Sequence, residues 1–179
     1  MRRLPFLILV SLVAVLLTAG CPVSALSAKE WFNKAEELKT DGNYEDAADA
    51  YERALNLDPD DSRTWNNLGD AYYKLDMYED AQIAFEKALE ISPEYAMAWD
   101  NLGITLKSLG SYEEALIAYE RAIRADPEYD DAWNNKGDDL YKLGRYEEAL
   151  VAFDIALDIN PDHTLAKKNR KLAIKMVRP

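Results

Sequence analysis

Side chains able to do covalent or metal chemistry are few and far apart in this chain. Cys21 is its one cysteine and His163 its one histidine. No intrachain disulfide can form, paired-histidine metal sites are excluded, and a lone histidine in no recognisable motif argues against a histidine-based triad. No glycine-rich loop of the phosphate-cradling kind occurs. Carboxylates abound, but they recur in runs such as Tyr-Glu-Glu-Ala and Asp-Pro-Glu-Tyr, which read as a solvated helix face and not as a convergent acid–base pair. The expectation is a protein that is not an enzyme and takes no metal and no cofactor, so that its chemistry is recognition.

The amino terminus carries a different kind of chemistry. Arg2 and Arg3 precede an apolar run from Phe6 to Leu17, followed by the small residues Thr18, Ala19 and Gly20, the order of an export signal. The run is shorter than the ~20 residues a spanning helix needs. Thr18-Ala19-Gly20-Cys21 resembles a lipobox, in which Cys21 becomes the lipidated first residue. Val23-Ser24-Ala25 offers a competing cleavage site that releases a chain starting at Leu26, and an uncleaved anchor is the third reading. All three place the remainder of the chain outside the cytoplasm, with a membrane tether through the N-terminus in the first and third.

Charge is unevenly spread. The formal net charge is −12, with 33 acidic and 21 basic side chains. All the acids fall within residues 26–163, whereas Thr164 to Pro179 holds Lys167, Lys168, Arg170, Lys171, Lys175 and Arg178 and no acid. So acidic a body repels phosphate backbones, which argues against nucleic-acid binding.

The elements that position these side chains come from a period of 34 residues written four times. Trp31, Trp65, Trp99 and Trp133 recur in phase, as do Tyr44, Tyr78, Tyr112 and Tyr146, then Ala47, Ala81, Ala115 and Ala149, then Pro59, Pro93, Pro127 and Pro161. Within the second unit, Trp65, Leu68, Gly69 and Tyr72 share one helical face, and Ala81, Ala84, Phe85 and Ala88 make a second stripe after a break near Asp76. Each unit is therefore predicted to be two short helices. The turn residues are Gly42, Gly110 and Gly144, with Asp76 standing where glycine is expected, and each proline stops the second helix at the residue before it. Leu165, Leu172, Ala173 and Met176 predict one further amphipathic helix.

Trp65, Leu68, Gly69, Tyr72, Ala81, Phe85, Ala88 and Pro93 fall at signature positions, and the chain from Ala28 to His163 resembles the tetratricopeptide repeat. The resemblance implies an all-α fold: four tandem helix-turn-helix units (28–61, 62–95, 96–129 and 130–163) and a basic capping helix over 164–179, forming a right-handed α-solenoid behind a signal segment of residues 1–25. It also implies that a peptide lies along a concave surface lined by the first helix of each unit. By repeat phase the candidate peptide-binding residues are Asn33, Glu36, Asn66, Asn67, Asp70, Tyr73, Asp100, Asn101, Asn134, Asn135, Asp138 and Tyr141.

Asparagine both donates and accepts, so a ladder of such residues can hold a peptide backbone. Glu36, Asp70 and Asp138 make the groove acidic and favour a partner bearing Lys or Arg. The cations with which some relatives grip a terminal carboxylate are missing: counted from the first unit, Phe32, Met97 and Asn101 stand in their places. The expected function is an extracytoplasmic interaction scaffold. The alternative is a structural, self-associating subunit with no dedicated peptide ligand.

Overall fold

The computed structural model of the protein describes residues 26–177, so the segment 1–25 expected to be a signal, Cys21 included, lies outside the described residues. Those residues form helices α1 (Ala28–Thr40), α2 (Tyr44–Leu57), α3 (Ser62–Lys74), α4 (Tyr78–Ile91), α5 (Ala96–Ser108), α6 (Tyr112–Ala125), α7 (Asp130–Lys142), α8 (Tyr146–Ile159) and α9 (Thr164–Val177). Among them there is no strand, and no helix is long and apolar enough to cross a membrane. Each odd-numbered helix from α1 to α7 pairs with the one after it, and each pair packs on the next, so the core is a seam running the length of an α-solenoid.

The helix ends follow from local chemistry. The side chain of Ser27 accepts from the Glu30 backbone N–H while Glu30 accepts from the Ser27 N–H, a reciprocal cap that opens α1. Asp61 opens α3 by accepting from the Arg63 N–H and the Thr64 hydroxyl. The second helices end at Leu57, Ile91, Ala125 and Ile159, two residues before each proline. Within each pair the turn needs one residue at positive φ. Asp76 takes it at 59°, a conformation that strains a non-glycine residue, and its carboxylate accepts from the Tyr78 hydroxyl at 2.6 Å.

The seam is filled by Tyr51, Phe85, Tyr119 and Phe153, one per unit at the same phase and all essentially inaccessible. Glycine faces three of these rings. A Cβ on Gly103 would stand 2.4 Å from Cε1 of Tyr119, so hydrogen at that position is what lets the ring approach. The tryptophans are only partly buried, and they do a second job. The indole N–H of Trp65 donates to the Pro59 carbonyl (2.8 Å), that of Trp99 to Pro93 (2.7 Å) and that of Trp133 to Pro127 (3.2 Å). Two of the in-phase sequence marks are thus bonded to each other across the unit boundary.

Both ends of the stack are closed by polar side chains. Glu30, Lys34 and Glu37 are exposed in the first unit where Thr64, Leu68 and Ala71 are buried in the second. At the other end, α9 docks differently from the face its apolar residues suggest. Ala166 and Ala173 are buried, Asn169 bonds Asn134 and Arg170 pairs with Asp154, whereas Leu165, Leu172 and Met176 are 57%, 41% and 47% exposed. The reason is phase: α9 sits as the first helix of a fifth unit, and in that phase the packing positions hold alanine. Lys171, exposed, occupies the place of Gly137.

Candidate peptide-binding groove

On α3 the residues spaced at Trp65, Leu68 and Tyr72 face the second-helix layer, so Arg63, Asp70 and Lys74 lie on the opposite, open side. The same phase places Met97, Ile104 and Ser108 on α5, and Asp131, Asp138 and Lys142 on α7. These side chains, with Asn33 and Glu36 of α1, line the groove.

The asparagines divide into two groups. Asn66 and Asn134 are 2% and 4% exposed, and Asp100 at the same phase is 3% exposed. Each receives a hydrogen bond from the following unit: Asn101 donates to Asn66 (3.1 Å), Asn135 to both carboxylate oxygens of Asp100 (3.0 and 3.2 Å), and Asn169 to Asn134 (3.2 Å). In the first unit that position is Phe32, so Asn67 donates instead to Glu36 (2.9 Å). The ladder expected to hold a peptide backbone is therefore employed in joining units. Asn33 is exposed, and Asn67, Asn101 and Asn135 are half-buried, the side-chain oxygens of Asn67 and Asn135 accepting from Asn66 (3.4 Å) and Asn134 (3.5 Å).

The acids are redistributed in the same way. Glu36 accepts from the Tyr51 hydroxyl and Asn67 and lies 3.1 Å from Lys39. Burial works to raise its pKa, yet those partners hold it below the usual value. Asp138 accepts from Lys107 at 2.8 Å and lies 3.3 Å from Lys142. Burial opposes its ionisation, but the two ammonium groups keep its carboxyl low. Asp70 has no Lys or Arg partner among the described residues, and neither has Asp131, whose carboxylate lies 3.2 Å from Nε2 of His163. The groove carboxylates without a Lys or Arg partner among the described residues are thus Asp70, half-buried, and Asp131, exposed.

Aromatic side chains complete the surface. The Tyr73 hydroxyl meets Ser108 at 3.2 Å and its ring lies 5.4 Å from that of Tyr78. The Tyr141 and Tyr146 rings meet edge-on at 5.2 Å, and the Arg63 guanidinium stacks 4.3 Å from the Phe32 ring.

The joint between the third and fourth units carries a polar cluster that sequence reasoning missed. Asp139 is fully buried at a place held by Ala71 and Thr105 in the units before it. Its carboxylate oxygens have no hydrogen-bond partner among the described residues, and Lys107, committed to Asp138, stands 3.5 Å away. Burial pushes the carboxyls of Asp139 and Asp100 each up to about 6. The phenol of Tyr119 is also without a partner, and burial and then the charges of Asp139, Asp100 and Asp138 drive its pKa upward. Alignment of Asp139 with Ala71 and Thr105 was the available signal. Among the described residues no group of three or more His, Cys, Asp or Glu side chains is arranged to hold a metal ion.

Three family models match the chain, two described as tetratricopeptide repeat over residues 60–128 and 101–164 and one as TPR repeat over 35–76. The chain belongs to the tetratricopeptide repeat family, whose repeats are protein–protein interaction scaffolds. Among solved structures it is similar to the MamA protein (24% identity over 84% of this chain and 82% of that one, TM-score 0.76). It is also similar to the TPR domain of Arabidopsis OM64 (24%, 64% and 94%, TM-score 0.61) and to a tetratricopeptide repeat protein of Parabacteroides merdae (22%, 84% and 60%, TM-score 0.74). At these identities the likeness is one of fold. No curated protein matches the sequence.

Proposed function

We propose that the protein is an extracytoplasmic scaffold, without catalytic activity of its own, that holds a Lys- or Arg-bearing segment of another protein along the open face of its first helices. The observation that carries the reading is the pair Asp70 and Asp131, two groove carboxylates with no Lys or Arg partner among the described residues. A cation from a partner supplies what these groups lack, and the half-buried Asn67, Asn101 and Asn135 and the hydroxyls of Tyr73 and Tyr141 offer backbone contacts beside them. Export rests on Arg2, Arg3 and the apolar run after them. Cys21 is proposed as the lipidated tether, with release at Leu26 as the competing outcome.

Recovery of partners from envelope extract by wild type and by the double variant Asp70→Lys, Asp131→Lys tests the groove. The account expects the variant to lose the partner, and equal recovery by both removes the groove from it. The mass of the mature amino terminus tests the export reading: acylated Cys21 or free Leu26 supports it, and an intact Met1 on cytoplasmic protein contradicts it.

A further inference from the structure

The groove does not stop at the fourth unit. Because α9 sits in first-helix phase, Leu165 and Leu172 stand where Asp131 and Asp138 stand on α7 and where Met97 and Ile104 stand on α5. Leu165, Leu172 and Met176 follow at spacings of seven and four and form one stripe on the open side of the helix. They are 57%, 41% and 47% exposed, and Met97 is 50% exposed. Two apolar steps of the groove thus flank one step whose exposed carboxylate, Asp131, has no Lys or Arg partner among the described residues.

We propose that the bound segment carries an apolar residue seated on α5, a Lys or Arg over Asp131 on α7, and a second apolar residue seated on α9. This rests on the groove reading given under Proposed function and adds the order of chemistry along it. Helices in contact lie about 10 Å apart, so the two apolar seats are roughly 20 Å apart, a span of about six residues of extended chain. Burying one leucine-sized side chain in each seat supplies affinity that a single exposed ion pair does not. Lys168 and Lys175 border the α9 seat without a carboxylate partner among the described residues, so acidic residues beyond the second anchor are favoured. An anionic bilayer fits the stripe less well, since the carboxylate of Asp131, 62% exposed, shares the same concavity.

The test selects random peptides of about fifteen residues, displayed on phage, against the full-length protein in detergent. Enriched peptides should hold two apolar residues about six apart with Lys or Arg between them. A fluorescein-labelled peptide of that pattern should bind at least tenfold more weakly to Leu165→Ser, Leu172→Ser, Met176→Ser and to Met97→Ser, with helicity unchanged because these side chains are solvent-facing. Loss of binding in Asp70→Lys, Asp131→Lys but not in the α9 variant would leave the groove standing and overturn the α9 seat. Binding untouched by any of these variants would overturn both. The α9 seat is equally overturned if that variant keeps the peptide but loses binding to phosphatidylcholine–phosphatidylglycerol vesicles, or loses a salt-sensitive dimer.

Discussion

Asn135 donates to both carboxylate oxygens of Asp100, at 3.0 and 3.2 Å, across the joint between the third and fourth units. At the same phase Asn101 meets Asn66 and Asn169 meets Asn134, amide to amide. The Asp100 joint makes the same hydrogen bond around a buried carboxylate, and one turn along it buries a second, Asp139.

Both carboxyls have a folded-state value of about 6, raised above that of the unfolded chain by burial. Between about pH 4 and pH 6 the folded state holds more protons than the unfolded one, so stability falls as pH rises through that window and is level above it. Asp100→Asn restores the amide pair of the neighbouring joints. It should stabilise the protein by roughly 1–2 kcal/mol at pH 8 and flatten the slope. Denaturant unfolding at pH 4.5 and pH 8 measures both, and a variant less stable than wild type at pH 8 would contradict the burial account.

Tyr51 and Tyr119 occupy the same place in the seam with opposite fortunes. The Tyr51 hydroxyl donates to Glu36, whereas that of Tyr119 has no partner among the described residues. Tyr51→Phe should cost about 1–2 kcal/mol, while Tyr119→Phe should be neutral or stabilising by about 1 kcal/mol, because a buried unsatisfied hydroxyl is removed. Thermal melts of the two variants side by side decide it, and equal losses would refute the assignment.

Gly103→Ala places a methyl 2.4 Å from the Tyr119 ring, which is held on all sides. A loss of roughly 1–3 kcal/mol is expected, and a melting temperature unchanged from wild type would show that the seam is looser than described.

The repeat period carried most of the fold. Trp65, Gly69, Pro93 and their counterparts mark helix, seam and stop because each is needed for a backbone or packing reason that recurs every unit. Asp76 was equally legible, since a residue in a glycine's place must adopt the glycine's φ. The groove was legible only as a set of positions. Repeat phase says which residues lie on the first helices but not which are covered by the next unit, so Asn66, Asp100 and Asn134 could not be told from Asn33 until the inter-unit bonds were visible. The charge state of the groove depends on Lys107 and Lys142 reaching Asp138, a contact between long flexible side chains with no periodic signature. In α9 the apolar residues draw attention to Leu165 and Leu172, yet packing is decided by the smaller Ala166 and Ala173.

Photo-crosslinking in intact cells tests the central claim most directly. Benzoylphenylalanine placed at Asp70, Tyr73 or Tyr141 reports on the groove, and at Ile83, Ile117 or Val151, all more than half exposed on the second helices, it reports on the opposite face. Crosslinks to one common protein from the three groove positions and none from the other three are predicted. Crosslinks to that protein from the second-helix positions alone would contradict the account.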